Sequence, residues 1–139
     1  MLVWLSLKLK YFGGIMLLLV SLLLVGCSDN LLPADIAQRY LELVRDSSFS
    51  QAYDLLSTDS QLKISRNEFV DRLNRAKLEA SISRTEILKV NRDPVIVGQR
   101  ASVTYQIEVT IYSGQKMPLF EALVLLQQEG GWRIVWPPQ

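Results

Sequence analysis

The chain has 139 residues, with 15 basic and 14 acidic side chains and no histidine. This balance excludes an electrostatic nucleic-acid binder, which needs a basic patch or stripe, so no nucleic-acid partner is expected. The lack of histidine excludes a Ser-His-Asp triad and imidazole metal ligands, and we expect no catalytic residue, no cofactor and no metal site.

The N-terminal segment has the pattern of a secretory signal peptide. Lys8 and Lys10 precede an almost wholly apolar stretch, residues 15–25, and this order is typical of such a signal. The uncharged stretch of residues 11–26 is shorter than the roughly 20 residues that a spanning helix needs. Because residues 2–7 are also mostly apolar, an uncleaved membrane anchor is the alternative.

Cys27 is the single cysteine of the chain and follows the apolar stretch after one glycine. Residues 24–27, Leu-Val-Gly-Cys, resemble a bacterial lipobox. In that motif the thiol forms a thioether to a diacylglyceryl group, and the glycine leaves room for the peptidase. A buried cysteine in an apolar helix is the alternative, because cysteine behaves as a small hydrophobe. Polar residues 28–30 follow at once, which favours the lipobox.

These patterns predict a lipoprotein signal peptide over residues 1–26 and a short tether, residues 27–32, that begins with a lipidated cysteine. Cys27 is the predicted lipid-attachment site, and palmitate-type acyl chains would anchor it, since two or more chains hold firmly. Five residues separate Cys27 from Pro33 and span at most about 17 Å. The domain that follows should therefore lie close to the bilayer.

The expected location is the extracytoplasmic face of a bacterial cell membrane, where the lipid anchor is the membrane contact. Position 28 holds Ser and not the aspartate that is associated with inner-membrane retention in bacteria with two membranes. An outer-membrane destination therefore stays open if the host has an outer membrane.

Residues 33–139 are expected to form one domain that begins with three helices. Pro33 suits the first position of a helix, and Asp35 lies in its first turn, where the helix dipole favours an acid. Apolar residues then recur at helical spacing until residues 45–48 end the segment. A second, short helix is predicted over about residues 50–57.

The third helix has the clearest predicted start. Ser65 and Glu68 form the pattern of a capping box, and Ile64 and Phe69 occupy the two positions of a hydrophobic staple. Apolar residues continue from Phe69 at helical spacing to residue 80.

After residue 83 the apolar period changes from helical to two. Residues 101–111 alternate strictly and predict a long, half-buried antiparallel strand. Further strands are predicted over about 84–90, 120–128 and 132–136, with a turn at 113–115 and with Pro118 confined to an edge or a strand start. Three helices followed by about four antiparallel strands indicate an α+β fold.

Several stretches together resemble one family. They are QAYDLLS at 51–57, SRNEF at 65–69 and GWRIVWPP at 131–138. They resemble the non-catalytic N-terminal domain of methicillin-resistance-type penicillin-binding proteins, a transpeptidase-associated domain of the nuclear-transport-factor-like (NTF2-like) superfamily. The similarity spans residues 33–138.

The resemblance implies a cone-shaped α+β fold, in which the three helices pack in a curved antiparallel sheet of about four strands, often with a pocket at the open end. Four aromatic residues would fill or line this cone: Tyr53, Phe69, Trp132 and Trp136. Ordinary core packing explains the same residues, because aromatic side chains dominate core burial.

Two features differ from the penicillin-binding proteins that the chain resembles. Those proteins continue into dimerisation and transpeptidase domains, whereas this sequence ends at Gln139, and the predicted attachment here is a lipid. We therefore expect a stand-alone lipoprotein. Small lipoproteins with the same superfamily fold are an equally good match.

Two motifs suggest penicillin-recognising chemistry but are read as accidents. Residues 60–63 fit S-x-x-K and residues 28–30 spell S-D-N. The K-T-G motif is missing, and the S-D-N precedes the S-x-x-K instead of following it. Asp54 and Asp59 are expected to be caps or turn residues.

A pocket carboxylate is the other candidate for catalysis. Glu108 or Glu121 could enter a pocket and act as a general base, as in isomerases of the superfamily, but a solvated strand face explains both. The leading hypothesis is a non-catalytic binding or spacer module that contacts a cell-envelope protein or a peptidoglycan-related ligand. The alternative is a small pocket enzyme of the isomerase or dehydratase type, which fold analogy alone supports.

Overall fold

The computed structural model describes residues 31–137, and within them four helices precede a five-stranded antiparallel sheet. The helices are α1 (Pro33–Arg45), α2 (Phe49–Tyr53), α3 (Thr58–Lys63) and α4 (Arg66–Glu79). The strands are β1 (Ile82–Val90), β2 (Val95–Val97), β3 (Arg100–Ile111), β4 (Lys116–Gln128) and β5 (Gly131–Ile134). The predicted α+β class is confirmed.

The sheet is built around β3. Its strand order is β1-β3-β4-β5, and β2 pairs with the beginning of β3, beyond the end of β1. Ala101 and Val103 of β3 lie opposite Leu125 and Leu123 of β4, and all four side chains are buried against the helices. Because side chains alternate between faces, this register gives the sheet a helix-covered inner face and an outer face.

Helix α1 covers the inner face with a narrow apolar stripe. Ile36, Ala37, Tyr40 and Leu41 are buried, and their spacing is that of one face of an amphipathic helix. The Asp35 carboxylate accepts a hydrogen bond from the Leu32 backbone N–H at 3.3 Å, which stabilises the first turn. The predicted helix start at Pro33 is confirmed.

The predicted start of the helix after residue 64 is also confirmed. The Ser65 hydroxyl oxygen accepts a hydrogen bond from the Glu68 backbone N–H at 3.3 Å, and Ile64 and Phe69 are both buried in the core. The Glu68 carboxylate accepts a hydrogen bond from Arg72 at 2.7 Å. The serine half of the capping box therefore begins α4.

The second predicted helix, residues 50–57, is wrong in length. Helix α2 ends at Tyr53, and the chain then runs beside β5, where the Ser57 N–H donates to the Ile134 carbonyl at 2.7 Å and the Ile134 N–H donates to the Leu55 carbonyl at 2.8 Å. Ser57 also caps the next helix, α3. Bonds to a distant strand thus replace helical ones, and four helices are present among residues 31–137 where three were predicted.

Two strand predictions also differ from the structure. Strand β2 was not predicted because its three residues are all apolar and all exposed, so it shows no alternation. Strand β4 begins at Lys116, ahead of the predicted residue 120, and includes Pro118. In β4, the Val124 carbonyl accepts a hydrogen bond from the Val135 N–H, on the side opposite β3. Because the direction of the backbone groups alternates along a strand, those of the other even-numbered β4 residues also point away from β3. The Pro118 nitrogen therefore lies on the free edge, where proline is tolerated.

The predicted signal peptide of residues 1–26, the lipid-attachment site Cys27 and the tether as far as Asn30 lie outside the described residues. Among residues 31–137, no helix combines the length and the apolar character needed to cross a membrane.

We predict that Ser65→Ala lowers the free energy of unfolding by about 1 kcal/mol, because the Glu68 N–H loses its capping acceptor. Ser48→Ala is the matched control, since Ser48 precedes α2 without a side-chain capping bond. Urea denaturation of both variants measures the effect. Equal stability of the two variants would show that the Ser65 cap contributes nothing.

Candidate binding site

Aromatic side chains fill the space between the helices and the sheet. Phe69 of α4 is fully buried, its ring centroid 5.7 Å from that of Tyr53 and 5.4 Å from that of Trp136, which it meets edge to face. Trp132 and Trp136 are partly buried against the same core. The four predicted aromatics are therefore packing residues, and three of them form one continuous stack.

Polar bonds hold this stack in place. The Tyr53 hydroxyl donates to the Ile64 carbonyl at 2.9 Å, and the Arg66 guanidinium lies 4.7 Å from the centre of the Tyr53 ring. Arg66 also binds the Asp54 carboxylate and thereby holds the pKa of Asp54 below its usual range. Asp54 thus has a partner in the helical layer, which fits its predicted structural role.

Ser60, the serine of the S-x-x-K pattern, is buried at the end of the sheet. Its hydroxyl oxygen lies 2.8 Å from that of Ser57 and accepts a hydrogen bond from the Trp136 backbone N–H at 2.9 Å. Lys63 is exposed at the end of α3. The hydroxyl thus joins α3 to the end of the chain, a structural role that agrees with reading the motif as an accident.

The structure places the two candidate carboxylates on opposite faces of the sheet. Glu121 lies opposite Tyr105 on the inner face, and its carboxylate accepts a hydrogen bond from the Tyr105 hydroxyl at 3.0 Å. Burial, followed by this bond, raises the pKa of Tyr105 and keeps the hydroxyl protonated. Glu108 points to the outer face, where it pairs with Lys116 at 2.7 Å. They therefore cannot act as a pair.

A cavity of about 480 Å³ lies on the sheet, and most of its lining belongs to the outer face. Register places Lys89, Gln106 and Phe120 in one row across β1, β3 and β4. This outer groove is lined by Lys89, Asn91, Thr104, Gln106 and Phe120, with Tyr105 and Glu121 between them. Alternation directs the Tyr105 and Glu121 side chains inward, so a ligand would meet the other five.

The outer groove combines one aromatic wall with several hydrogen-bonding groups. Phe120 is 72% exposed, Gln106 supplies an amide, and Thr104 supplies a hydroxyl. The Asn91 amide lies beside them and hydrogen-bonds the N–H and carbonyl of Asp93, both at 3.1 Å. The Lys89 ammonium adds a cation. An apolar wall with a few polar groups is the usual composition of a ligand site, and this groove suits a polar or anionic ligand. Among residues 31–137, no cluster of acidic side chains could hold a metal ion.

The sequence profile of a family described as the NTF2-like N-terminal transpeptidase domain matches residues 32–139. The chain belongs to this family. Penicillin-binding protein 3 of Bacillus subtilis is 24% identical over 120 residues, which cover 83% of this chain and 18% of that protein. The chain thus spans about a fifth of the length of that relative. The predicted resemblance is confirmed.

Solved structures agree on the fold. A SEC-C motif-containing protein from Rhodopseudomonas palustris aligns with a TM-score of 0.52 and 14% identity, covering 74% of each chain. A candidate polyketide cyclase from Xanthomonas campestris aligns with a TM-score of 0.51 and 16% identity, covering 73% of this chain and 87% of that one. At these identities the likeness shows the NTF2-like fold alone.

The outer groove was not predicted from the sequence. Its β3 members, Thr104 and Gln106, are the polar positions of the alternating strand, and such positions ordinarily face solvent. A signal existed in Phe120, since a large aromatic side chain at an outward position of β4 is unusual for a solvated face. Register across three strands was needed to bring it beside Lys89.

We predict that Ser60→Ala lowers the free energy of unfolding by about 1–3 kcal/mol, because the part-buried Trp136 N–H loses its acceptor. Lys63→Ala should change it by no more than about 0.5 kcal/mol, since this side chain is exposed. Thermal or urea unfolding measures both. A catalytic S-x-x-K would instead give covalent labelling of Ser60 by a fluorescent penicillin, which we do not expect.

Proposed function

We propose that the protein is a bacterial lipoprotein, anchored through Cys27 at the extracytoplasmic face of the membrane. Its NTF2-like domain acts there as a non-catalytic binding module for a cell-envelope protein or a peptidoglycan-related ligand. The lipobox-like residues 24–27 and the preceding apolar stretch support the anchor. An outer-membrane location is included if the host has a second membrane.

The match of residues 32–139 to a transpeptidase-associated domain carries the envelope part of the proposal. The relative in Bacillus subtilis is named as a penicillin-binding protein, and such a protein acts on the cell wall. A domain related to one segment of it, placed at the membrane by a lipid, would meet the same partners. The packed interior supports binding outside the core, because Phe69 and its neighbours fill the space between the helices and the sheet.

The outer groove is the surface on which we place the ligand. Phe120 offers an exposed aromatic face, Gln106 and Lys89 lie in the same row across the strands, and Asn91 also lines the groove. A sugar or peptide ligand could stack on the ring and bind the amides, while Lys89 would pair with a carboxylate. None of these groups needs to transfer a proton for such binding.

A small pocket enzyme is the second candidate, and one observation favours it. The Tyr105 hydroxyl and the Glu121 carboxylate form a hydrogen-bonded pair next to the groove, and such a pair could serve an acid–base reaction. Glu121 is exposed and accepts the Tyr105 hydrogen bond on the inner face of the sheet, away from the Gln106 amide of the outer groove. Glu121→Gln separates the two functions, because it would abolish catalysis but leave binding in the outer groove intact.

We predict that Cys27→Ser releases the protein from membranes or leaves it as the unprocessed precursor, because the chain has no other thiol to acylate. Metabolic labelling with a radioactive fatty acid, followed by membrane flotation, measures this. Ser28→Ala is the control and should keep both label and flotation. Fatty-acid labelling of the Cys27→Ser protein would contradict the proposed anchor.

We predict that a photocrosslinking phenylalanine analogue at Phe120 captures a cell-wall assembly protein or a wall glycan in living cells. The substitution keeps an aromatic side chain at the groove. Tyr112 is the matched control, since its side chain is 73% exposed and follows the end of β3. Mass spectrometry identifies the adducts. Equal adducts at both positions, or cytoplasmic proteins alone, would contradict the proposed function.

A further inference from the structure

The N-terminus of α1 and strand β2 lie at the same end of the domain. Arg92, in the loop before β2, binds the Asp35 carboxylate and, at 3.3 Å, the Gln38 side-chain oxygen, both in the first turns of α1. Asp35 in turn accepts a hydrogen bond from the Leu32 backbone. The loop is thus tied to the point at which the chain enters the domain.

The opposite end of α1 confirms this orientation. Arg45 lines a surface cavity together with residues 84–88 at the beginning of β1, so α1 runs antiparallel to β1. Strand β2 continues the line of β1 along β3, since Val90 lies opposite Tyr105 and Val95 lies opposite Ser102. The β2–β3 hairpin therefore projects from the end of the domain where the N-terminal segment leaves it.

This end carries a group of exposed apolar side chains. In β2 the exposed fractions are 68% for Val95, 52% for Ile96 and 75% for Val97, and at the chain entry they are 47% for Leu31 and 63% for Leu32. We name these five residues the apolar rim. An exposed apolar edge strand is a liability that proteins normally protect with charges or proline. Pro94 directly precedes β2 and Arg100 lies opposite Val97, but the three residues of β2 itself are all apolar and exposed. Such groups mark a contact with a protein or a membrane.

We propose that the apolar rim contacts the bilayer surface and sets the orientation of the domain on the membrane. The inference rests on the proposed lipid anchor at Cys27. Leu31 is four residues from Cys27 and can be at most about 14 Å from it. The rim therefore lies within reach of the headgroups, and apolar side chains at an interface enter about 5–10 Å into the headgroup–acyl boundary.

The position of the rim favours a bilayer over a protein. The rim flanks the point from which the tether leaves, so any covering partner must also let the tether pass to its anchor. A bilayer meets this condition because it holds the anchor itself. Two signals anchor a protein to a membrane more firmly than one does. Because the covalent and the apolar attachment would touch the bilayer at different points of the domain, together they would restrict its orientation.

This orientation places the outer groove just above the membrane. Thr104 of the groove is two residues along β3 from Ser102, the partner of Val95, a rise of about 7 Å. The groove would therefore open sideways, close to the headgroups, and would reach ligands at the membrane surface. Tyr112 follows the other end of β3, a 12-residue strand with a length of roughly 40 Å.

The test uses the full lipidated chain in phospholipid vesicles. Val97→Cys introduces a thiol for an environment-sensitive fluorophore, and Tyr112→Cys is the control of equal exposure at the other end of β3. We expect vesicles with nitroxide-labelled headgroups to quench the fluorophore at Val97 and to leave that at Tyr112 unchanged. Val95→Cys repeats the measurement if Val97→Cys does not fold.

Each other outcome overturns the inference in a distinguishable way. Equal quenching at Val97 and Tyr112 in a chain that floats with the vesicles rejects the rim and keeps the anchor. A Val97 fluorophore that is shielded from aqueous iodide but not quenched by the lipid shows that a second copy of the chain, and not the bilayer, covers the rim. A wild-type chain that takes up the thiol dye and does not float has a free Cys27, which rejects the anchor and the inference together.

Discussion

The packing of Phe69 between Tyr53 and Trp136 is the contact on which the architecture depends. This packing joins α2, α4 and the segment after β5. The Ser60 hydroxyl adds α3 to the same unit, because it accepts a hydrogen bond from the Trp136 backbone N–H. Aromatic pairs of this geometry stabilise beyond the area that they bury. Because Phe69 has no exposed surface, a smaller side chain would leave a cavity between its neighbours and a larger one would displace them.

The filled part of the interior moves the proposed binding site to the outside of the domain. NTF2-like folds can hold a pocket inside the curve of the sheet, but here α1 and the aromatic stack cover the inner face around Val103 and Leu123. The inner side chains at the beginning of β4, such as Leu119 and Glu121, stay exposed. The outer face keeps a groove of about 480 Å³. One constraint, strand alternation, separates the two roles, since the odd positions of β3 build the core while the even positions line the groove.

The distribution of charges fits a domain that binds its ligand through a few neighbouring side chains. Ion pairs on the surface of residues 31–137, such as Arg66–Asp54 and Lys116–Glu108, are largely exposed and contribute little to stability. The outer groove has one cation, Lys89. The apolar rim, which includes the whole of β2, has no charged side chain. A lipid anchor at Cys27 would bring both surfaces to the membrane, where one faces the bilayer and the other its ligands.

The sequence by itself determined the features that depend on neighbouring residues. Pro33 and Ser65 mark helix starts because capping involves only the next three or four residues, and the strict alternation of residues 101–111 marks β3. The family, the α+β class and the core role of Phe69 followed from the same local patterns together with the resemblance.

Tertiary structure decided what depends on residues far apart in the chain. The segment after Tyr53 left its helical pattern because Leu55 and Ser57 pair with Ile134, and propensity cannot anticipate such a partner. Likewise, β2 exists only through its pairing with β3, and the groove exists only because register aligns Lys89, Gln106 and Phe120. The physical reason is that strand register depends on the hydrophobic pattern of both strands and on the turn that joins them, so it follows from residues that are not neighbours in the sequence.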